Sequence, residues 1–296
     1  MDLDFGLLAN QIVWGVMVGV SYTLLAMAFS LIFATSNTIN FAIGEFAMLA
    51  AYVCYTALAK LPLGFVGAAL LAMVAIAAFA MALERIAFRR LYNLDPILIL
   101  IGTIGLSSII KNLVLIAWGP FSMSFPRYFP VEPLIVGPLL IIPQNVVVVS
   151  VGLAAMVGFH LFMTRTRLGT AMRATAQNIR GATLVGINPR FCVNLSWGLG
   201  AVMAGIAGVM IAFTYNISID MGAASGIKGF TAAILGGFGN LPASMAGGVV
   251  LGMVENTSAE IFSHEYKDIV AFAVIVLILL FKPSGLFARS NTARRI

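Results

Sequence analysis

Residues 164–190 read TRTRLGTAMRATAQNIRGATLVGINPR and form the only long polar interval in the second half of an otherwise apolar chain. The interval contains five arginines and no acid. Four apolar residues recur in it at helical spacing: Leu168, Met172, Ala176 and Ile179. Gly186 followed by Pro189 is a helix stop signal. The stretch therefore predicts a short amphipathic helix in a cytoplasmic loop. A purely topological basic loop is the alternative, and it would need neither the stripe nor the terminator.

The composition on either side of this stretch is that of a polytopic membrane protein. Hydrophobic residues make up 61% of the chain, charged residues 9%, and the mean hydropathy is +1.03. Soluble domains are about half apolar and a quarter charged. The net charge of +6 comes mostly from arginine clusters beside apolar segments, so it indicates membrane orientation and does not indicate nucleic-acid binding. Cys54 and Cys192 lie far apart in apolar segments and are expected to be buried small side chains.

Windows of about 20 apolar residues predict an all-α protein with about nine membrane spans. The predicted spans are 11–33, 39–58, 65–87, 96–118, 141–163, 191–215, 222–238, 242–262 and 267–281. With nine spans, the basic clusters at 85–90, 164–190 and 282–295 all lie inside, as the positive-inside rule requires. We therefore expect the N-terminus outside and the C-terminus in the cytoplasm. The glycine-rich segment 222–238 is the weakest span, and the odd count depends on it.

The two halves of the chain resemble each other in the order of their features. Pro62 and Pro242 open spans, as Asp95 and Asp268 do, and the two pairs have a similar offset. We therefore predict one transmembrane domain, 1–296, with repeat 1 at about 10–118 and repeat 2 at about 191–282. A linker span (141–163) and a coupling loop (164–190) separate the repeats. Because the one linker span is unpaired, the repeats are inverted.

Two segments interrupt the predicted spans with glycine, asparagine and charge: 37–45 and 226–240. Irregular backbone at membrane depth is tolerated only where protein buries it or where it lines a cavity, so both segments are predicted beside a pathway. Glu45 lies well inside its span and needs a partner or a wet surface. Lys228 and Lys111 are the candidate partners, although Lys111 is close enough to the outer interface to snorkel.

The eighth predicted span carries three further polar residues: Glu255, Asn256 and Glu260. They either line the interior or approach the outer interface. Small residues spaced four apart predict close helix packing and no site, in three pairs: Gly15 and Gly19, Ala201 and Gly205, Ala204 and Gly208. The chain has no GxxxxGK[ST], HExxH or CxxC motif. We therefore expect no ATP hydrolysis by this chain, no metal site and no catalytic group.

Several dispersed runs, in order along nearly the whole chain, resemble one family. They are INFAIGE at 39–45, RLGTAMRA at 167–174, GIN at 186–188, KGFTAAILGG at 228–237, EYKD at 265–268 and PSG at 283–285. They are similar to the membrane-spanning permease of ABC importers for branched-chain amino acids, more closely its H-type. The chain departs from the family at Ile43, where the family has histidine. It also departs at Gln177 and Asn178, where relatives often have acids.

The resemblance implies partners and a location. Two cytoplasmic ABC ATPases would bind ATP and Mg²⁺, and this chain would bind no cofactor. A second homologous permease would complete a hetero- or homodimer in the bacterial inner membrane. A periplasmic or lipid-anchored binding protein would deliver the amino acid. Urea, amides and aromatic acids are alternative cargoes, because such importers share this permease type.

The resemblance and the sequence pattern together define two sets of candidate residues. Candidates for ATPase coupling are Arg165, Arg167, Gly169, Arg173, Ala174, Asn178, Arg180, Gly186 and Ile187. Candidates for the translocation pathway or its gating are Asn40, Phe41, Gly44, Glu45, Lys228, Phe230, Thr231, Gly236, Gly237 and Glu255. The competing function is a stand-alone secondary transporter or channel for a small amino acid or amide, in which Glu45 would be an ion or proton site.

Overall fold

The computed structural model describes residues 5–125, 134–136, 139–261, 267–282 and 284–287. The acidic residues at the start of the chain and the basic residues after 287 lie outside these ranges. The α-helices of the described residues are α1 (Phe5–Ser36), α2 (Ile43–Lys60), α3 (Phe65–Leu83), α4 (Pro96–Trp118), α5 (Pro143–Arg165), α6 (Arg167–Gln177), α7 (Ile179–Leu184), α8 (Pro189–Tyr215), α9 (Met221–Gly236), α10 (Leu241–Ile261) and α11 (Lys267–Phe281).

Four short elements complete the described fold. A π-helical turn, Glu84–Phe88, extends α3, and a 3₁₀ turn, Leu91–Asn93, leads towards α4. An antiparallel pair of three-residue strands, β1 (Leu134–Val136) and β2 (Leu139–Ile141), precedes α5. The fold is thus almost entirely helical, as predicted.

Two central helices, α1 and α8, run antiparallel and organise the core. The Thr35 hydroxyl donates to the Ser196 hydroxyl at 2.7 Å near the end of α1 and the start of α8. We call this end of the molecule, where α6 and α7 also lie, the coupling end, and the opposite end, near Tyr215, the far end. α1 packs against α8, α9 and α10, and α8 also packs against α2 and α3. Trp197 is among the largest fully buried side chains.

Glycines let the helices approach closely, as the small-residue spacing predicts. A Cβ on Gly19 would lie 2.9 Å from the carbonyl oxygen of Gly248, and one on Gly15 would lie 2.7 Å from the Cα of Met253. These contacts form a seam between α1 and α10. Gly205 of α8 similarly faces Ala50 of α2. The predicted close-packing role of these glycines is confirmed.

The number of membrane spans is only partly established. Among the described residues, five helices are long and apolar enough to cross a membrane: Asn10–Ser36, Phe65–Phe88, Pro96–Trp118, Pro143–Arg165 and Pro189–Tyr215. Helices α9 and α10 pass the test together, but a bend of 119° separates them, as in a broken span or a re-entrant loop. By length and composition the described residues thus give five candidate spans, or six with this pair, and nine spans remain a prediction.

Several predicted helix limits agree with the structure and others need correction. The helix Pro96–Trp118 has the bounds that the sequence predicts. The prediction of a broken segment over 226–240 is wrong for most of its length, because α9 is continuous to Gly236 and only the turn 237–240 interrupts it. The predicted coupling helix is divided at Asn178 into α6 and α7.

Candidate functional site

Each central helix ends at an asparagine with unusual backbone geometry. Asn37, after α1, has φ of 55°, and Asn216, after α8, has φ of 70°. These are the two non-glycine residues with positive φ in the described part of the chain. Asparagine tolerates this region better than most residues because its short polar side chain bonds locally. Both long helices therefore end abruptly, and a shorter helix begins after each break.

Helix α2 begins deep within the helical bundle. The amide of Phe41 donates to the hydroxyl of Thr103 at 3.2 Å. Thr103 lies seven residues into α4, about 10 Å from its start at the coupling end. The side chain of Asn40 accepts from the amide of Ala42 at 2.9 Å. The first turn of α2 therefore lies well inside the bundle, where its open amides need partners.

Helices α2 and α9 cross near their N-termini. A Cβ on Gly44 would lie 2.7 Å from the Cα of Gly226, so the two backbones touch. Three phenylalanines pack beside this crossing, with ring centroids 5.1 to 6.4 Å apart: Phe29, Phe41 and Phe230. The crossing thus brings together Phe41, Gly44 and Phe230, which the sequence assigns to one pathway.

Glu45 lies at the crossing and is 1% exposed. The Ser107 hydroxyl donates to its Oε1 at 3.1 Å, and no described protein group donates to its Oε2. A side chain at Gly222 would collide with this carboxylate, so the acid lies directly against the backbone of α9. Because Glu45 is in the first turn of α2, the helix dipole favours its negative charge.

Neither candidate lysine forms an ion pair with Glu45 among the described residues. Lys111 bonds the exposed carboxylate of Asp220 at 2.7 Å, and its own side chain is 39% exposed, which agrees with a lysine that snorkels towards the outer interface. The Lys228 ammonium lies 2.6 Å from the Glu255 carboxylate. This ion pair joins α9 to α10 and does not include Glu45. Each lysine instead faces an acid on another element, so the prediction that one of them pairs with Glu45 is wrong.

The polar residues of α10 lie in two different places. Glu255 is 3% exposed and therefore lines the interior. Glu260 lies at the surface near the far end, where the amide nitrogen of Gln11 donates to it at 3.0 Å. Of the two alternatives left open by the sequence, the interior position applies to Glu255 and the interface position to Glu260.

A cavity of about 290 Å³ lies on the α1 side of α9, and we call it the vestibule. Helices α1, α5, α8, α9 and α10 contribute to its wall, and both Lys228 and Glu255 line it. Asp220 lines its far-end side. A smaller cavity of about 170 Å³ lies on the other face of α9, with Phe41, Ser107 and Gly226 in its wall. Helix α9 thus separates two cavities.

Gly236 and Gly237, at the end of α9, do not lie at the crossing of α2 and α9. Gly237 has φ of 131° and ends α9 at the coupling end. The amides of Leu286 and Phe287 donate to the carbonyls of Leu235 and Gly236 at 2.8 and 3.1 Å. Gly236 and Gly237 therefore form a turn pinned by the segment after α11, and they lie away from the crossing. Thr231 is buried next to Phe230 in the same helix.

Helices α6 and α7, which we call the coupling pair, are seated firmly on the bundle. Thr166 caps α6 by accepting from the amide of Gly169 at 3.0 Å, and Asn178 caps α7 by accepting from that of Gly181 at 2.9 Å. A Cβ on Gly169 would lie 2.6 Å from the Cα of Met163, so α6 touches the end of α5. Met172 is completely buried.

The outer surface of the coupling pair is basic and partly apolar. Five arginines around it are exposed: Arg165, Arg167, Arg173, Arg180 and Arg190. Leu184 is 88% and Val185 74% exposed. Two residues of the predicted apolar stripe are also exposed: Leu168 at the start of α6, and Ile179, because the break at Asn178 ends the stripe before it. Exposed apolar side chains beside arginines form a surface suited to a protein partner.

The remaining coupling candidates occupy supporting positions. Ala174 is half-buried in α6, and Asn178 is exposed at the break. Gly186 has φ of 83°, which favours glycine, and the amide of Ile187 donates to the carbonyl of Ala182 at 3.0 Å. Gly186 and Ile187 therefore form the turn into α8, as the Gly-Pro stop signal predicts.

A buried polar cluster at the coupling end was missed by the sequence reasoning. Glu84, 1% exposed in the π turn, accepts from the side-chain amide of Asn194 at 2.5 Å and from Arg89 at 3.3 Å. Burial is the main cause that raises the pKa of Tyr92, and the negative charge of Glu84 raises it further. The Tyr92 hydroxyl therefore stays protonated. The sequence signal that could have predicted this cluster is the position of Glu84, an acid next to three arginines: Arg85, Arg89 and Arg90. Within the described ranges, no three His, Cys, Asp or Glu side chains could hold a metal ion.

Comparison with known proteins identifies the family. Residues 11–279 match the family described as "Branched-chain amino acid transport system / permease component". The chain is 33% identical to the high-affinity branched-chain amino acid transport system permease protein BraD of Pseudomonas aeruginosa, over 96% of this chain and 97% of that protein. It is 34% identical to the corresponding permease protein LivH of Escherichia coli K12, over 99% of this chain and 100% of that protein.

More distant similarity extends to a different cargo. The galactofuranose transporter permease protein YtfT of Escherichia coli is 26% identical over 49% of this chain and 44% of that protein. No solved structure matches the chain. The family match over most of the chain, together with the two nearly full-length relatives, places the protein: it belongs to the permease component family of branched-chain amino acid transport systems.

Proposed function

We propose that this chain is the transmembrane permease subunit of an ABC importer that carries branched-chain or other aliphatic amino acids into the cytoplasm. The observation that carries the proposal is the coupling pair, which is seated on α5 and presents arginines and apolar side chains outward. The names of BraD and LivH support the substrate class. The similarity to a galactofuranose permease supports a sugar as the competing cargo.

The proposed partners follow from this role. Two cytoplasmic ATPases bind the coupling pair and hydrolyse ATP with Mg²⁺, while this chain binds neither. A second permease, identical or homologous, completes the pathway in the inner membrane. A periplasmic or lipid-anchored binding protein delivers the amino acid at the far end. The exposed basic surface of the coupling pair supports the ATPase contact, because complementary charge speeds and orients association.

In the proposed topology the chain crosses the membrane nine times, with its N-terminus outside and its C-terminus inside. The opposite directions of α1 and α8 support this count, because they correspond to the first and the sixth predicted spans. The arginines of the coupling pair support a cytoplasmic coupling end.

The proposed inverted repeats, about 10–118 and 191–282, are supported by matched contacts. Leu25 of α1 packs on Gly229 of α9, and Gly205 of α8 packs on Ala50 of α2. Leu25 and Gly205 are 180 positions apart, and Ala50 and Gly229 are 179 positions apart. An offset of about 180 residues therefore converts the α1–α9 contact into the α8–α2 contact. The asparagines that end α1 and α8 with positive φ are also 179 positions apart, 37 and 216.

We infer that alternating access operates at the crossing of α2 and α9. Short helices that meet within the membrane and belong to opposite repeats are the usual place for a transporter pathway. Motion of the ATPases would move the coupling pair and α5, and the helices at the crossing would shift with them. Glu45 holds the crossing together in this account. A secondary transporter is the rival, favoured by the buried Oε2 of Glu45, which could take up a proton or ion.

Affinity purification of the tagged chain from its native membrane tests the assembly. We expect two ATPase subunits and a second permease subunit to copurify, with ATP hydrolysis stimulated by the loaded binding protein. Recovery of the chain alone, with full amino acid transport after reconstitution, would overturn the proposal.

A further inference from the structure

The wall of the vestibule combines one ion pair with apolar and uncharged polar side chains. Lys228 and Glu255 form the ion pair, with their side chains 2.6 Å apart. Glu255 lies six residues before Ile261, the last residue of α10. The ion pair therefore lies about 9 Å inside the far end of that helix. The rest of the wall is mixed. Its apolar side chains include Trp14 and Met17 from α1, Val148 from α5 and Ile211 from α8, and its uncharged polar side chains include Ser21, Asn145 and Thr214.

An ion pair at this depth is costly unless it has a use. Each charge loses several kcal/mol of hydration when it is buried, and the mutual attraction only partly offsets the loss. In membrane proteins, charged side chains within the bundle therefore usually mark a substrate or ion route. The pair also joins α9, which forms the crossing, to α10, which packs along α1.

We propose that the vestibule is a low-affinity binding site for one zwitterionic aliphatic amino acid. The ammonium group of the amino acid lies against the Glu255 carboxylate, and its carboxylate lies against the Lys228 ammonium. The aliphatic side chain packs on Trp14 and Met17. The inference rests on the proposed function and adds to it a selectivity inside the permease itself.

The charges explain why a zwitterion fits better than an ion of one sign. Lys228 and Glu255 together carry no net charge. A bound zwitterion also carries no net charge, and each of its two charged groups faces the residue of opposite sign. An amine or a carboxylic acid alone would leave one added charge without compensation at low dielectric. The third charged group in the wall, Asp220, already bonds Lys111 at 2.7 Å. The existing ion pair does not need to separate for the amino acid to bind.

Thiol protection tests the site without requiring transport. Thr214 lines the vestibule and is exposed, whereas the native Cys54 and Cys192 are buried. In membranes containing the assembled transporter, a Thr214→Cys variant is modified by a small impermeant methanethiosulfonate reagent. We expect millimolar leucine to slow this modification. We expect 3-methylbutylamine, which lacks the carboxylate, and 4-methylpentanoate, which lacks the ammonium, to need at least about tenfold higher concentrations.

The paired variant Lys228→Met with Glu255→Gln removes both charges and leaves neither unpaired. In the Thr214→Cys background, the leucine concentration for half protection should rise about tenfold or more. A Phe121→Cys variant, exposed in the loop after α4, is the control, and leucine should not protect it. If the paired variant fails to fold, the comparison of leucine with its two analogues on the Thr214→Cys variant still tests the proposal.

The inference is overturned if leucine does not protect Thr214→Cys, if the analogues protect equally well, or if the folded paired variant keeps full protection. Failure of the proposed function gives a different result. Protection by leucine would then persist, while no ATPase copurifies with the chain.

Discussion

Gly44 and Gly226 meet where α2 and α9 cross, at a distance that leaves no room for a Cβ on Gly44. Such a Cβ would lie 2.7 Å from the Cα of Gly226, closer than real Cβ contacts. The neighbouring Glu45 carboxylate rests against Gly222 on the same face of α9. Two glycines of α9 and one of α2 thus set the geometry of the crossing.

Replacement of Gly44 by alanine should therefore damage both stability and transport. We expect the free energy of unfolding to fall by about 1–3 kcal/mol, because the contacting atoms belong to backbone and cannot move aside. Gly158→Ala on α5 is the matched control, since no atom lies within 4 Å of the added Cβ. Thermal denaturation and uptake of both purified variants provide the measurement. Equal behaviour of the two variants would contradict the close crossing.

Replacement of Gly169 by valine should separate the coupling pair from α5. Its Cβ would lie 2.6 Å from the Cα of Met163, so α6 must shift. We expect ATP hydrolysis by the assembled complex to lose its stimulation by substrate. Thr170→Val, the adjacent exposed position, should retain that stimulation. Intact stimulation in Gly169→Val would argue against transmission through this contact.

Reversal of charge at Arg173 and Arg180 should weaken ATPase binding about tenfold or more, because repulsion across an interface costs several kcal/mol. Membrane insertion should survive, since both side chains are exposed. The paired variant with lysine at both positions keeps the charge and should bind nearly normally at low salt. Copurification across a salt series is the measurement, and undiminished binding by the glutamate variant would reject the proposed surface.

Single cysteines at the two ends of the bundle test the topology. Phe121 is 79% exposed at the far end, and Leu184 is 88% exposed on the coupling pair. An impermeant thiol reagent added to intact cells should label Phe121→Cys and should label Leu184→Cys only after permeabilisation. Labelling of both in intact cells would place the coupling pair outside and reject the proposed orientation.

The sequence predicted elements whose signals are local. The bounds of Pro96–Trp118 follow from a proline start and an apolar length that matches a membrane. Gly186 and Pro189 mark the turn before α8 because each has a backbone preference that does not depend on partners. Small-residue spacing similarly predicted the seam at Gly15 and Gly19, since only close approach requires it.

Pairing between distant residues could not be predicted in the same way. Lys111 pairs with Asp220, 109 positions away, and many arrangements of the helices would satisfy the same sequence pattern. Leu168 and Ile179 follow helical spacing, but the cap at Asn178 restarts the helix and turns Ile179 away. The cluster of Glu84 with Asn194 also depends on how α3 lies on α8.

Uptake of leucine by reconstituted vesicles distinguishes an ATP-driven importer subunit from a secondary transporter. The assembled complex is oriented with its ATPases accessible to ATP, its loaded binding protein is supplied at the far end, and both the protein and its Glu45→Gln variant are assayed. We expect uptake that requires ATP and is unaffected by a proton ionophore at fixed ATP. Glu45→Gln should change the rate and leave this dependence intact. Uptake without ATP, ATPases or binding protein, abolished by the ionophore and by Glu45→Gln, would contradict the proposed function.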